Sequence, residues 1–246
     1  MTSRRSRVLL QAVALVGAGA GLTWALTVPL STRQGVDFQV STRTIPFYVK
    51  AVGFLDRHYQ HALLAREITQ GLKTDRERVL AIFEWTRQHI PPTPNGWPIV
   101  DDHILHIIIR GHGSQDQMAD VFTTLTTYAG DPAFWGIFRT PGTPHSLILS
   151  FVRVDGRWAV FDVLNEFAFT TGTGAFATPE ALAADPALVR ATAGAFQFGG
   201  GPYERYFTNL ASLRVPRTLR AELQMPWPRF WYEVRRLLGW ERRHGA

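Results

Sequence analysis

The sequence predicts an α+β fold, with helices first in the chain and antiparallel strands after them. Apolar residues recur at helical spacing between Ala51 and Leu72, and again between Met118 and Ala129. Two strand-like runs, Ser146 to Val154 and Trp158 to Leu164, are joined by Asp155-Gly156, a typical two-residue hairpin signal. Because helical and strand segments are segregated along the chain, they favour α+β over an alternating α/β fold.

The composition indicates a folded domain whose positive charge lies at the two ends of the chain. The 246 residues are 46% hydrophobic and 12% aromatic, which favours a globular chain with a core. The formal net charge is +6; three N-terminal arginines contribute +3, and eight arginines with three glutamates from Arg214 onward contribute +5. The residues between them therefore carry −2. This distribution argues against a nucleic-acid partner and favours ends that lie near an anionic membrane.

An uncharged apolar run from Val8 to Leu30 predicts an N-terminal transmembrane helix, so that residues 1–30 form a membrane anchor. A helix of 23 residues is long enough for a hydrocarbon core of roughly 30 Å. The arginines that precede the run predict a cytoplasmic N-terminus and an extracytoplasmic remainder. A cleaved signal peptide is the alternative interpretation. Residues 31–50 are expected to form a linker.

Two helices are predicted between this linker and a proline-rich loop. The first lies within Ala51 to Leu72, with Gly71 as a stop signal. The second begins with a capping box from Thr74 to Glu77 and ends before Pro91.

The stretch from Arg110 to Tyr128 predicts a glycine-rich turn that leads into a buried helix. Its sequence places Ser114, Gln115 and Asp116 at or near the helix N-terminus. Unpaired backbone N–H groups and the helix dipole favour anions and activated nucleophiles at such a position. A nucleophile would therefore be expected here. The chain contains no cysteine, which excludes thiolate nucleophiles, thiolate metal sites and disulfides.

The C-terminal part is predicted to contain a helix that starts at Thr178-Pro179 and a glycine-rich loop from Phe196 to Pro202. Residues 213–246 form a basic, aromatic segment. From Pro226 onward its apolar residues recur at helical spacing. Two interpretations stay open for this segment: a helix at a bilayer interface, or an amphipathic helix packed on the domain.

A histidine and an aspartate flank the predicted hairpin. His145 precedes the first strand and Asp162 lies in the second, so a tight hairpin can bring an imidazole close to a carboxylate that orients it. With a nucleophile at the start of the buried helix, these residues would complete a nucleophile, base and orienting acid.

From roughly Thr74 to Phe167 the sequence resembles the transglutaminase-like family, which shares the papain-like cysteine-peptidase architecture. The resemblance rests on DRERVLAIFEWTRQHI, on GHGSQDQMADVFTTLTTYAG, on His145 before an apolar strand and on DGRWAVFDV. It implies that residues 51–212 form a core of helices packed on an antiparallel sheet. It also implies that His145 and Asp162 stand at the family's His and Asp positions, and that Gln115 stands at the catalytic Cys position.

A glutamine amide is not a nucleophile, so the family's acyl-enzyme cannot form by its usual route. The sequence therefore predicts a vestigial triad in a catalytically inactive, membrane-anchored protein. We expect it to bind a peptide, amide-bearing or glycan ligand, or to act as a scaffold for envelope proteins, without a metal or cofactor.

The alternative is an amide or ester hydrolase that uses Ser114, or a metal, with His145 and Asp162. Ser114 lies one residue from the family's cysteine position, which rotates a helical side chain by about 100°. Metal-ligand residue types occur in one acidic, histidine-rich stretch, comprising Asp101, Asp102, His103, His106 and His112. Their spacing does not match H-E-x-x-H.

Overall fold

The computed structural model describes residues 4–101, 103–139 and 145–240. It has the expected α+β architecture, with helices packed against antiparallel sheets. The helices are α1 (Arg4–Thr27), α2 (Phe47–Ile68), α3 (Asp75–His89), α4 (Ile104–Arg110), α5 (Gln115–Tyr128), α6 (Pro179–Ala184), α7 (Pro186–Ala193) and α8 (Pro226–Leu237). The strands are β1 (Pro29–Val36), β2 (Gln39–Pro46), β3 (Val100–Asp101), β4 (Ala133–Arg139), β5 (Ser146–Val154), β6 (Arg157–Asp162), β7 (Phe167–Ala168), β8 (Gln197–Phe198) and β9 (Gly201–Pro202).

The apolar run at the N-terminus is helical, but the helix ends earlier in the chain than the predicted Leu30. Helix α1 ends at Thr27, and the proline that follows at position 29 already begins β1. Within the ranges that the structure describes, no helix combines the length and the apolar character needed to cross a membrane.

The predicted linker, residues 31–50, is instead a β-hairpin followed by the start of a helix. Strands β1 and β2 pair from Pro29 opposite Pro46 to Val36 opposite Gln39, and α2 begins at Phe47. The turn residues Asp37 and Phe38 have φ angles of 47° and 65°, the sign that a tight hairpin turn requires. The sequence did not indicate this hairpin because β2 is largely exposed and neither strand has an alternating apolar face.

The capping box at the start of α3 is confirmed. The Thr74 hydroxyl accepts the Glu77 backbone N–H at 3.1 Å, and the Glu77 carboxylate accepts the Thr74 N–H at 2.9 Å. The helix ends at His89, just before the proline-rich loop.

A four-stranded sheet in the order β4-β5-β6-β7 forms the centre of the fold. The predicted hairpin is present, and Asp155 and Gly156 have φ angles of 48° and 78°. Strand β4 was not predicted. The predicted glycine-rich loop near residue 200 contains the short hairpin of β8 and β9.

Side chains alternate between the two faces of this sheet, and a separate apolar cluster covers each face. Helix α5 packs on the first face, which carries Ala133, Val152, Val154, Ala159 and Phe161. The second face is covered by α6, α7 and the segment from β8 to Leu210, and it carries Phe134, Leu147, Leu149, Phe151 and Val160. The sheet therefore separates α5 from everything that packs on the second face.

Helix α5 is almost entirely buried although it is rich in threonine. The hydroxyls of Thr123, Thr126 and Thr127 each donate to the carbonyl four residues earlier at 2.7 Å. These bonds satisfy the buried hydroxyls within the helix itself.

Candidate functional site

The start of α5 is held by a glycine-containing turn and a side-chain bond. Gly111 adopts a left-handed conformation with φ 72° at the end of α4, and a Cβ atom on Gly113 would lie 3.0 Å from Cβ of Gln117. Ser114 is the N-cap residue, as its position predicted, and its N–H donates to Oε1 of Gln117 at 3.1 Å. Gln117 in turn donates to the Val100 carbonyl at 2.6 Å.

Gln115 is the first residue of α5 and is half-buried. Among the described residues, its buried Nε2 atom has no hydrogen-bond partner. A buried donor without a partner costs about 1–3 kcal/mol, so this amide is an unusual feature at the position that the resemblance singles out. The neighbouring Ser114 hydroxyl donates to the Asp116 carboxylate.

His145 lies exposed at the start of β5 and packs against the turn between β8 and β9. A Cβ atom on Gly199 would lie 2.7 Å from Cδ2 of His145, and the His145 and Phe198 rings are 6.4 Å apart at their centroids. Phe198 packs in the cluster on the second face of the sheet.

Asp162 is fully buried at the end of β6. Its carboxylate accepts the Asn165 backbone N–H at 2.9 Å, the Asn165 amide at 2.7 Å and the Tyr203 hydroxyl. Burial raises the pKa of Asp162, and the hydrogen bonds from Tyr203 and Asn165 oppose that rise. Burial, with the neighbouring Asp162, also raises the pKa of Tyr203. The carboxylate is thus held by donors that sequence analysis had not identified.

The hairpin register does not make His145 and Asp162 cross-strand neighbours. Ser150 pairs with Phe161, so continuing the register by one residue sets Leu149 opposite Asp162. His145 lies four residues before Leu149, about 13 Å along the strand.

Gln115 begins helix α5, whose buried apolar residues pack on the first face of the sheet. His145 and Asp162 contact residues that pack on the second face. Phe198 and Tyr203, which touch them, are both part of the second-face cluster, and α5 belongs to the first. The contacts of His145 and Asp162 therefore lie on the second face of the sheet, and the buried apolar side chains of α5, which begins at Gln115, lie on the first.

A buried carboxylate on α5 was missed by sequence analysis. Asp120 accepts the Trp135 indole N–H at 2.6 Å and forms an ion pair with Arg220 at 2.8 Å. Burial raises the pKa of Asp120 to about 6, while Arg220 and the bond from Trp135 act in the opposite direction. The available signal was an acidic residue inside a helix predicted to be buried.

A second missed group is His61 of α2, which is fully buried against the edge of Tyr128. Both ring nitrogens lack a hydrogen-bond partner among the described residues. Burial, followed by the positive charge of Arg57, lowers the pKa of His61 to about 4.

Among the described residues, the metal-ligand residue types of the histidine-rich stretch are not assembled into a site. Asp102 lies outside the described residues, and the His103 and His106 rings are 5.6 Å apart at their centroids. The Nδ1 atom of His112 lies 3.3 Å from the Thr93 hydroxyl. In the part of the chain that the structure describes, no group of three or more such residues is arranged to hold a metal ion.

Comparison with known proteins gives no family match. No family model matches the chain, and neither does any curated protein. Among solved structures, the chain is similar to one from Cytophaga hutchinsonii described as a "putative cysteine protease", with 16% identity and a TM-score of 0.39 over 44% of this chain. It is also similar to a "putative protease" from Parabacteroides distasonis, with 13% identity and a TM-score of 0.35 over 54% of this chain. The chain spans 37% and 35% of the lengths of these two proteins.

Proposed function

We propose that this chain is a catalytically inactive transglutaminase-like protein that binds a ligand, or scaffolds a protein assembly, at the cell envelope. One observation supports the proposal: the contacts of His145 and Asp162 lie on the second face of the sheet, whereas α5, which begins at Gln115, packs with its buried apolar side chains on the first. A nucleophile, its base and its orienting acid must lie within hydrogen-bond reach of one another.

The state of Asp162 also supports a non-catalytic role. Its two oxygens already accept bonds from Asn165 and Tyr203, so the carboxylate holds a buried network together. Removing a partner from such a network leaves a buried group unsatisfied, which is costly. This structural role accounts for an aspartate at this position without any catalytic use.

The ligand in this proposal binds at the start of α5. The Gln115 amide has a donor without a partner among the described residues, and the first backbone N–H groups of the helix favour an acceptor. A peptide carbonyl, a side-chain amide or a sugar hydroxyl oxygen satisfies such a donor. Ligand binding there requires the Gln115 side chain to turn outward, because its Nε2 atom is buried.

The location at the envelope is supported by the N-terminal helix. The side chains of Leu15, Val16 and Trp24 in α1 are all largely exposed, and basic residues precede them. In the proposal residues 1–30 anchor the chain at the membrane, with the N-terminus in the cytoplasm and the domain outside. A reporter fused after Ala246 tests this orientation; cytoplasmic reporter activity would contradict it.

The alternative, a hydrolase that uses Ser114, has less support. The Ser114 hydroxyl donates to Asp116. His145, the base it would need, packs against Gly199 in the turn between β8 and β9.

Turnover assays distinguish the two functions. The purified full chain is assayed for amide hydrolysis, ester hydrolysis and amine incorporation, with and without divalent metals. We expect no turnover that depends on His145 or Ser114. Activity that is lost in His145→Ala or Ser114→Ala, but kept in the matched control His89→Ala on the surface of α3, would overturn the proposal.

A further inference from the structure

Helix α8 is strongly amphipathic. At 100° per residue its large apolar side chains fall within an arc of about 120°. These side chains are Trp227, Phe230, Trp231, Val234, Leu237 and the adjoining Leu238. Arg229, Glu233 and Arg236 occupy the opposite side.

The apolar side of this helix is not covered by the domain. Trp227 is 69% exposed, Trp231 is 53% exposed and Leu237 is 81% exposed. No residue of α8 is buried. An amphipathic helix that packs on a soluble domain turns its apolar side to the core, whereas this helix leaves its apolar side largely exposed among the described residues.

The helix is nevertheless attached to the core at its start. It follows directly on a short 3-10 turn, Glu222–Gln224, and the Gln224 carbonyl accepts the Tyr128 hydroxyl at 2.7 Å. Tyr128 is the last residue of α5. The exposed apolar side is therefore presented from a fixed point on the domain.

The polar side and its surroundings are positively charged. Glu233 pairs with both Arg229 and Arg236 at 2.7 Å. Residues 213–240 contain six arginines and two glutamates, a formal charge of +4. Tryptophan and arginine together on one helix are typical of the boundary between lipid headgroups and acyl chains.

A groove of about 430 Å³ lies between α8 and the segment before it. Its lining includes Arg217, Trp227, Trp231 and Arg235, with Glu222 as the acidic residue. Guanidinium groups pair well with phosphate oxygens, and the indole rings provide the apolar wall that a lipid headgroup with its first methylenes would contact.

From these observations we propose that α8 lies in the interface of an anionic phospholipid bilayer. Trp227, Phe230 and Leu237 enter the acyl boundary, and Arg217 and Arg235 contact headgroup phosphates. A second copy of the chain is a poorer occupant, because it would bring two segments of charge +4 together. Free phosphate would account for the arginines but not for the exposed aromatic side. The proposal does not depend on the proposed function.

The absence of cysteine allows a direct test with single nitroxide labels in the full chain. Phe230→Cys and Leu237→Cys report on the apolar side, and Arg229→Cys is the matched control on the polar side. Power saturation is measured with oxygen and with a water-soluble nickel chelate, in vesicles of phosphatidylcholine alone and with added phosphatidylglycerol. The predicted result is that labels at 230 and 237 gain oxygen contact and lose nickel contact in anionic vesicles, while the label at 229 stays aqueous.

Further measurements distinguish an anionic bilayer from a second copy of the chain and from free phosphate. Arg217→Ala with Arg235→Ala should remove the difference between anionic and neutral vesicles, and added salt should reduce it. Three outcomes overturn the proposal: all labels stay aqueous on anionic vesicles, spin–spin broadening shows that labels from two copies meet, or inorganic phosphate on neutral vesicles reproduces the anionic effect.

Discussion

The imidazole of His145 packs so closely on Gly199 that a Cβ atom there would lie 2.7 Å from Cδ2. Gly199 also has a φ of 59°, a conformation that L side chains rarely adopt. Contact and conformation together fix the imidazole of His145 against the turn between β8 and β9.

Gly199→Ala is expected to lower stability more than Gly200→Ala. Both positions are left-handed, so each alanine costs roughly 1–2 kcal/mol in backbone strain. Only the alanine at 199 also meets His145, since no atom lies within 4 Å of a Cβ at 200. Thermal unfolding of the two variants measures the difference. Equal losses would show that His145 does not pack on this turn.

Tyr203→Phe is expected to destabilise the domain by roughly 1.5–3 kcal/mol, the value of a hydrogen bond to a charged group. The loss should shrink at low pH. Burial raises the pKa of Asp162, so the ionised carboxylate lowers the stability of the folded state above that pKa. Below that pKa the carboxyl is protonated, and its hydrogen bond with Tyr203 no longer involves a charged group. Urea unfolding at several pH values measures this, with the exposed Tyr59→Phe as control. A pH-independent loss would argue against the bond.

Asp120 should make stability fall as pH rises from about 4 to 6. Its folded pKa of about 6 exceeds the unfolded value of 3.8, so the folded chain binds more protons in this window. The full effect is roughly 3 kcal/mol. Asp120→Asn should remove this contribution, so that only the opposite contribution of His61 remains in this window, whereas Asp116→Asn, at an exposed position, should keep the pH profile of the unsubstituted chain. If Asp120→Asn leaves that profile unchanged, the carboxylate is not held as described.

The effect of His61 on the pH dependence of stability should be opposite to that of Asp120. Its folded pKa of about 4 lies below the unfolded value of 6.5, so stability falls as pH decreases from 6.5 to 4. His61→Leu should remove that loss and also relieve two buried nitrogens without partners. Because Asp120 and His61 act oppositely in overlapping windows, the unsubstituted chain should show a weaker pH dependence than either variant. The exposed His89→Leu serves as control.

Local signals were sufficient to predict much of the framework from sequence. The box at Thr74, the helix start at Ser114 and the turn at Asp155-Gly156 depend on residues close in the chain, and all three are present. The hairpin at Asp37 and Phe38 was missed because its turn lacks glycine and its strands lack an apolar face.

The candidate site was less predictable because its contacts are distant in sequence. Alternation along β5 predicts that His145 faces the same way as Leu147 and Leu149. It does not tell which face α5 covers. The partner of Asp162 is Tyr203, 41 residues further along the chain, and no local pattern indicates that pairing.

The central claim is that Gln115 and His145 do not form one site. The most direct test introduces a thiol with Gln115→Cys and measures its pKa by the pH dependence of alkylation. The measurement is repeated in Gln115→Cys with His145→Ala, so that the effect of the helix N-terminus cancels. We predict the same thiol pKa in both variants and no gain of turnover. A thiol pKa well below about 8.5 that rises when His145 is removed would contradict this account, because it would mean that the imidazole reaches the helix start.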